Sequence, residues 1–391
     1  MMAKRITRGW LVLFLCAAFF AAAQTSAPRT IKIPNLYAGI EVGSKGVKMS
    51  LIELTRSAET GNSFTIVKDT SVNTDFISFT PATFDATLEG LTALYNVALT
   101  KYNIPTKRVF TVISSGVKQQ AEKEKKTESI SKFIAAFQTK INEPGRLVEV
   151  VDVMQEAKLS HLGIVPLARR YNTFLIDIGS GNTKGGFFPY GNDSYFYLFQ
   201  LNWGTKSTAN AAEKLVGDDK SLPNYSKQLQ RVAANAEATD ITYAVNTSGS
   251  YTVSDHIAFS GGIAWATATL LYPELSNNPI IPVTYEDVER FSKRVSENYS
   301  SLSEAYLVSK MGAGKWDKKR VSEEVKRVHA VFDQKALMAG SALMLRIMRQ
   351  FKSVNEAKQF YLIKNGQVGW VSAYVTAVSY THLRAHETGR N

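Results

Sequence analysis

The chain has 391 residues, 45% of them hydrophobic, and a formal net charge of +12. This length allows two domains with hydrophobic cores, and the apolar fraction is ordinary for a soluble globular protein. The single cysteine, Cys16, excludes a disulfide framework, and the basic charge favours anionic partners such as nucleic acid, polyphosphate or lipid headgroups without choosing among them.

Residues 1–23 have the pattern of a signal peptide. Lys4, Arg5 and Arg8 precede an apolar run over residues 10–22, and the alanines at 21–23 offer a cleavage site. The apolar run is too short to span a bilayer. We therefore expect an exported protein, periplasmic or secreted, with no stable membrane span and with residues 24–35 as a linker.

The first glycine loop follows a predicted buried strand over residues 36–41 and reads IEVGSKGVK over residues 40–48. An acid, Glu41, is followed by an apolar residue, by Gly43 and Ser44, by three variable residues and by Lys48. A strand that ends at an acid and turns back through glycine presents backbone N–H groups that can bind phosphate oxygens, and the acid can hold a hydrated Mg²⁺ against them. We therefore predict phosphate binding by Gly43 and Ser44 and metal binding by Glu41.

The rest of the first lobe, residues 36–160, alternates strands and helices. Thr83 is the expected N-cap of a helix over residues 84–102. The other predicted elements are strands over residues 48–53, 63–68, 109–113 and 146–151, a helix over 130–141, and a short helix or turn over 155–162 that carries Glu156.

The second glycine loop opens the second lobe, residues 161–377, and reads LIDIGSGNTKGGF over residues 175–187. One glycine-rich turn is weak evidence, since ordinary hairpins look similar. Because both loops share the order acid, apolar residue, Gly-Ser, three variable residues and lysine, we expect two similar lobes that offer phosphate loops to one cleft. The predicted phosphate ligands here are Gly179, Ser180, Gly181, Asn182 and Lys184, with Asp177 as a metal ligand.

A third loop, Gly261-Gly262, lies between a predicted strand over 257–260 and a helix over 263–271, which is typical of an anion- or nucleotide-binding site. A charged, exposed helical region over 285–335, an apolar helix over 336–351 and a strand over 360–363 follow. The alternation predicts an α/β protein with largely parallel sheets. The last helix of the second lobe can return to the first, and residues 378–391 read as a non-native tail.

In this order the chain resembles the exopolyphosphatase/guanosine pentaphosphate phosphohydrolase (Ppx/GppA) family of the actin–Hsp70–sugar kinase superfamily. The most specific match is LVEVVDVMQEAKLSHLG over residues 147–163, similar to the family's "IEVISGEEEARLIYLG". The other matching segments are residues 38–52, 109–121, 177–184, 259–268 and 330–349. The resemblance implies two actin-like, ribonuclease H-like lobes with a phosphate-binding cleft between them.

The resemblance also implies hydrolysis of a terminal phosphoanhydride bond, with Glu156 positioning or deprotonating the water. Three positions depart from the family: Val153 replaces a motif glycine, Gln155 a glutamate, and Lys184 a metal-binding glutamate. A lysine there repels Mg²⁺ but can itself neutralise phosphate oxygens, so we expect a weaker dependence on Mg²⁺. Alternatively, Lys184 points to solvent and pairs with Asp177 at the surface.

Three functions remain open from the sequence. The first is an exported hydrolase of polyphosphate or of a nucleotide polyphosphate such as pppGpp. The second is a non-catalytic protein of the same fold that binds phosphate polymers or a partner, and the third is a nucleotide-dependent kinase or actin-like ATPase. Export argues against the third, because ATP is scarce outside the cytoplasm. We expect a polyanionic phosphate partner and no nucleic acid, and a homodimer is one arrangement that the sequence allows.

Overall fold

The computed structural model describes residues 35–57, 61–249, 254–312, 317–352, 358–364, 366 and 369–388. The predicted signal peptide and all but the last residue of the predicted linker lie outside this range. The described segments contain two β-sheets and thirteen α-helices, so the chain is α/β as expected. None of these helices has the length and apolar content needed to cross a bilayer.

The first sheet has five strands in the order β3-β2-β1-β4-β5. Its strands are β1 (Leu36–Gly43), β2 (Gly46–Ser57), β3 (Gly61–Asn73), β4 (Val109–Ile113) and β5 (Val148–Val150). The strands β1, β2 and β3 form an antiparallel meander, β4 pairs in parallel with β1, and β5 pairs in parallel with β4.

The second sheet has six strands in the order β10-β11-β9-β6-β7-β8. Its strands are β6 (Thr173–Ile178), β7 (Thr183–Phe187), β8 (Tyr197–Leu201), β9 (His256–Ser260), β10 (Ile280–Val283) and β11 (Gln359–Ile363). It repeats the plan of the first sheet, since β6, β7 and β8 form an antiparallel meander and β9 adds to β6 in parallel.

The expectation of largely parallel sheets is therefore wrong, because both sheets are mixed. The reason lies in the first and second glycine loops. Each is a tight connection between consecutive strands, and strands joined by a tight turn pair antiparallel. Only the strands reached through helical crossovers, such as β4 and β9, pair in parallel with the first strand of their lobe.

The helices cover the faces of both sheets. They are α1 (Pro81–Thr100), α2 (Ser115–Lys123), α3 (Thr127–Lys140), α4 (Val153–Ile164), α5 (Thr205–Val216), α6 (Leu222–Ala236), α7 (Thr242–Thr247), α8 (Gly262–Leu271), α9 (Tyr285–Glu297), α10 (Glu304–Lys310), α11 (Lys318–Val331), α12 (Gln334–Lys352) and α13 (Gly369–Thr388). The described residues of 285–335 are mostly helical, as expected. This region is not exposed throughout, since α9 buries Val288, Phe291 and Val295.

The N-cap of α1 is Thr80 and not Thr83 as expected. The side chain of Thr80 accepts a hydrogen bond from the Thr83 N–H, and Thr83 completes a capping box as the third helical residue. Pro81 accounts for the earlier start, because the first helical position suits its fixed φ and needs no N–H donor.

The final helix, α13, packs against the first sheet and against α4. Its Trp370 and Val375 share a buried cluster with Tyr37 and Ile52 of the first sheet and Leu159 of α4. On its other side α4 contacts β7. The helix that carries Glu156 therefore lies between elements of both sheets. Since α13 runs to Thr388, it includes residues of the predicted non-native tail, whose origin stays a prediction.

Candidate functional site

The first and second glycine loops are each the turn of a hairpin, which places the acid of the loop directly opposite its lysine. In the β1–β2 ladder Glu41 pairs with Lys48. In the β6–β7 ladder Asp177 pairs with Lys184. Side chains directly opposite in an antiparallel pair lie on the same face of the sheet. The repeated spacing seen in the sequence is thus a repeated cross-strand register.

Lys184 is buried between two carboxylates. Its ammonium lies 3.0 Å from Glu156 Oε1 and 3.5 Å from Asp177 Oδ2. Only 6% of Lys184 and 2% of Glu156 are exposed. The alternative in which Lys184 points to solvent is wrong, because the side chain turns inward and joins α4 to β6.

Glu156 is held from both sides. Its Oε1 meets the Lys184 ammonium, and its Oε2 accepts a hydrogen bond of 2.7 Å from the N–H of Ser115. Ser115 is the first residue of α2, where backbone N–H groups have no partner within the helix and the helix dipole favours negative charge. Asp152 starts α4 by accepting the N–H of Gln155 at 2.7 Å, which fixes the turn that presents Glu156.

The third loop contacts the second one. The Ser260 hydroxyl donates a hydrogen bond of 3.0 Å to Asp177 Oδ1. Gly261 has φ of 91°, and a Cβ atom at this position would lie 2.2 Å from the carbonyl oxygen of Ile178. Only glycine fits there without displacing the backbone of the second loop. Gly262 then begins α8 and lies against the ring of Phe332.

The first loop meets the second at the start of α2. A Cβ atom on Gly116 would lie 3.2 Å from the Ser44 hydroxyl and 4.0 Å from Asn182 Oδ1. Asn182 also donates a hydrogen bond of 2.6 Å to Gln119 of α2. The three glycine loops are thus brought together around α2, Glu156 and Lys184.

Some backbone groups of the second loop form hydrogen bonds within the protein, and others have no partner among the described residues. The carbonyl groups of Gly179 and Ser180 accept N–H groups from Thr205 and Lys206 at the start of α5. The Gly179 N–H donates to Asn182 O at 2.9 Å, so this predicted phosphate donor is already engaged. Across the described segments, the N–H groups of Ser180 and Gly181 have no such acceptor.

The surroundings of the site shift the pKa values of two of its charged groups, Glu41 and Lys184. Burial raises the pKa of Glu41 to about 7, with Glu156 and Asp177 adding to the effect and Lys48 and Lys184 opposing it. Burial by itself would lower the pKa of Lys184, but Glu156 and Asp177 outweigh it and hold that pKa above its usual range. The two carboxylates therefore favour the charged form of Lys184. The Glu41 carboxylate lies against Gly43 and has no hydrogen bond or ion pair within the described part of the chain.

Several solved structures of other proteins have a similar architecture. A Ppx/GppA family member from Aquifex aeolicus has a TM-score of 0.59 and 16% identity over 88% of this chain and 97% of its own. The fold is that of the Ppx/GppA proteins. A type II variant of the Aquifex aeolicus Ppx/GppA phosphatase has a TM-score of 0.56 and 14% identity over 87% of this chain and 98% of its own. An exopolyphosphatase from Cytophaga hutchinsonii has a TM-score of 0.51 and 13% identity over 86% of this chain and 97% of its own. No protein-family model matches the sequence, and no curated protein is significantly similar to it.

Asp177, one of the two expected Mg²⁺ ligands, already faces an ammonium with one oxygen and a hydroxyl with the other. Mg²⁺ needs oxygen ligands around an octahedral centre at short range. Here the ammonium of Lys184 takes the space beside Asp177 and Glu156. Within the described residues, no three His, Cys, Asp or Glu side chains are grouped to hold a metal ion. The cation at this point of our chain is the Lys184 ammonium.

Several residues of the site escaped the sequence argument. Ser115 contributes a backbone N–H, which no side-chain motif reveals. Lys45 and Lys206 repel each other across the two lobes, and partial desolvation together with the charge of Lys206 lowers the pKa of Lys45. Lys206 also lies 3.5 Å from Asp75. The run of small residues at 114–116, directly after β4, is the sequence feature that could have indicated a turn at Ser115. No sequence feature indicates the proximity of Lys45 and Lys206, because they are distant in sequence.

Proposed function

We propose that the chain is an exported phosphoanhydride hydrolase that releases terminal phosphate from polyphosphate or from a nucleotide polyphosphate such as pppGpp. The observation that carries the proposal is the fixed carboxylate of Glu156, buried where the glycine loops meet. The name of the Cytophaga hutchinsonii neighbour supports the substrate class. The signal-peptide pattern of residues 1–23 supports export.

In this proposal Glu156 orients the attacking water and receives its proton. A carboxylate oxygen has two acceptor sites, so each oxygen of Glu156 can accept a further hydrogen bond beside the one it has. The hydroxyl of Ser44 and the N–H groups of Ser180 and Gly181 bind the phosphate oxygens. Phosphoryl transfer depends mainly on positioning and charge neutralisation, which these groups and Lys184 supply.

The test is phosphate release by the purified mature chain from polyphosphate, pppGpp and ATP. Glu156→Gln should lower turnover by at least about 100-fold and leave substrate affinity nearly unchanged, as expected when a general base is lost. Glu149→Gln is a matched control, because Glu149 is bonded to Gln155 and Tyr374 instead of Ser115 and Lys184. Equal turnover of the parent and the Glu156→Gln chain would remove Glu156 from the mechanism.

A second candidate function is non-catalytic binding of a phosphate polymer. The observation that favours it is the engagement of both Glu156 oxygens, one by an N–H group and one by a buried ammonium. Such a carboxylate has fewer acceptor sites left for an attacking water than an unpaired one. Binding of polyphosphate without any phosphate release would support this function. Preferential hydrolysis of ATP would instead favour a nucleotide-dependent kinase or ATPase.

A further inference from the structure

We propose that the Lys184 ammonium takes the place of a divalent cation in the cleft, so that the chain needs no metal bound by its own side chains. This inference deepens the proposed function and rests on the same cleft. Its central claim, which concerns metal binding, can be tested without any turnover.

The position of the ammonium carries the argument. It lies 3.0 Å from one carboxylate of α4 and 3.5 Å from another at the end of β6. A metal ion bridging these two side chains would have to occupy the same space. The Ser260 hydroxyl donates to the other oxygen of Asp177, and the Ser115 N–H donates to the other oxygen of Glu156. Each carboxylate is thus oriented with one oxygen towards the lysine.

The buried cluster of Lys184 with Asp177 and Glu156 has no counterpart among the described residues of the first loop. Lys48 stands opposite Glu41 in the same register, yet it is only half-buried and forms no ion pair within the described segments. A cross-strand acid and lysine are therefore not enough to build the buried cluster. The cluster requires Glu156, which α4 delivers to Lys184.

The negative charge of the two carboxylates explains why a cation is needed at this point of the cleft. Isolated buried carboxylates are strongly disfavoured, so a cation must accompany Asp177 and Glu156. A lysine ammonium is a compact charge with three donors and can serve both carboxylates while it faces a phosphate oxygen. The replacement of Lys184 by glutamate would leave three carboxylates around one point, which is a ligand set that suits Mg²⁺ or Mn²⁺.

The experiment measures metal binding by the mature chain after treatment with a chelator. Calorimetric titration with Mn²⁺ and the shift of Tm on adding Mn²⁺ or Mg²⁺ are the two readouts. We expect no stoichiometric Mn²⁺ binding and no Tm shift for the parent. Lys184→Glu should gain a Mn²⁺ site and a Tm that rises with the metal. Lys48→Glu is the matched control at the equivalent position of the first hairpin, and it should gain no site.

A second variant guards against misfolding, since Lys184→Glu places three carboxylates together. Lys184→Gln removes the cation without adding an acid and should also become more stable when Mn²⁺ is added. Stoichiometric Mn²⁺ binding by the parent that is lost in Asp177→Asn would overturn the inference. So would folded Lys184→Glu and Lys184→Gln chains that gain no metal.

The outcomes for the two proposals are separable. A parent that releases no phosphate from any substrate contradicts the hydrolase, whatever the Mn²⁺ titrations show. A parent that releases phosphate only when Mg²⁺ is present supports the hydrolase, and its Mn²⁺ titration in the absence of substrate then decides whether the chain or the phosphate substrate binds the metal. Phosphate release that persists in the presence of a chelator supports both.

Discussion

Asp177 and Lys184 face each other across the β6–β7 ladder, in the same register as Glu41 and Lys48 across the β1–β2 ladder. The two pairs differ in their surroundings. Lys184 is buried against Glu156 as well as Asp177, whereas Lys48 is partly exposed. Two hairpins with one local pattern therefore support different electrostatics, and the difference can be measured.

Lys184→Met should destabilise the chain far more than Lys48→Met does. Methionine keeps much of the lysine side-chain length and removes the charge. At position 184 it leaves buried carboxylates without their cation, for which a loss of about 3–5 kcal/mol is expected. At position 48, where the lysine is partly exposed, the loss should stay below about 1 kcal/mol. The free energy of unfolding in urea is the measurement, and similar losses for the two variants would contradict the electrostatic difference.

The sequence predicted those parts of the fold and site that depend on local pattern. Apolar runs correctly predicted strands such as β4, and the order of acid, glycine and lysine correctly predicted the positions of both hairpin turns. The direction of strand pairing was missed, because the alternation of strands and helices outweighed the evidence of the tight turns. The placement of Lys184 beside Asp177 follows from the spacing of the second loop, since a hairpin fixes which residues lie opposite each other.

The contacts that complete the site could not be predicted from the sequence. The bond from Ser115 to Glu156 joins a backbone group to a residue on a different helix. The burial of Lys184 depends on how α4 packs between α13 and β7. Both depend on tertiary packing, which neither periodicity nor loop spacing encodes.

Glu41 should make stability fall as pH rises. Because burial raises its pKa from 4.5 to about 7, the folded chain keeps a proton that the unfolded chain has already lost between these values. The stabilising effect is full below about pH 4.5 and is lost by about pH 7. Glu41→Gln removes this dependence. The free energy of unfolding of the variant minus that of the parent should therefore be larger at pH 8 than at pH 4.5, by up to about 3 kcal/mol. Urea unfolding of both chains at the two pH values tests this, and parallel pH profiles would refute it.

His161 should act in the opposite direction. Burial lowers its pKa from 6.5 to about 4, and its Nε2 bonds to the carbonyl oxygen of Thr173 at 2.9 Å. The unfolded chain therefore takes up a proton first as the pH falls, so the stabilisation is complete above about pH 6.5 and is lost towards pH 4. His161→Gln should flatten the stability profile in this window. An unchanged slope between pH 6.5 and 4 would show that His161 does not titrate as described.

Gly261→Ala should disrupt the junction of the second and third loops. The backbone φ of Gly261 is 91°, and a Cβ atom would lie 2.2 Å from Ile178 O and 2.9 Å from Asp177 Oδ1. Either the backbone of β6 or the Asp177 carboxylate must then move, which we expect to cost more than about 3 kcal/mol in addition to the strain of a positive φ. Gly217→Ala separates the two effects, because Gly217 also has a positive φ, of 64°, and has open space where its Cβ would lie. Its backbone, with φ of 64° and ψ of −137°, lies outside the left-handed helical region, and this strain alone should cost about 1–3 kcal/mol. Urea unfolding compares the two variants, and equal losses would mean that the close approach of Gly261 to β6 contributes nothing to stability.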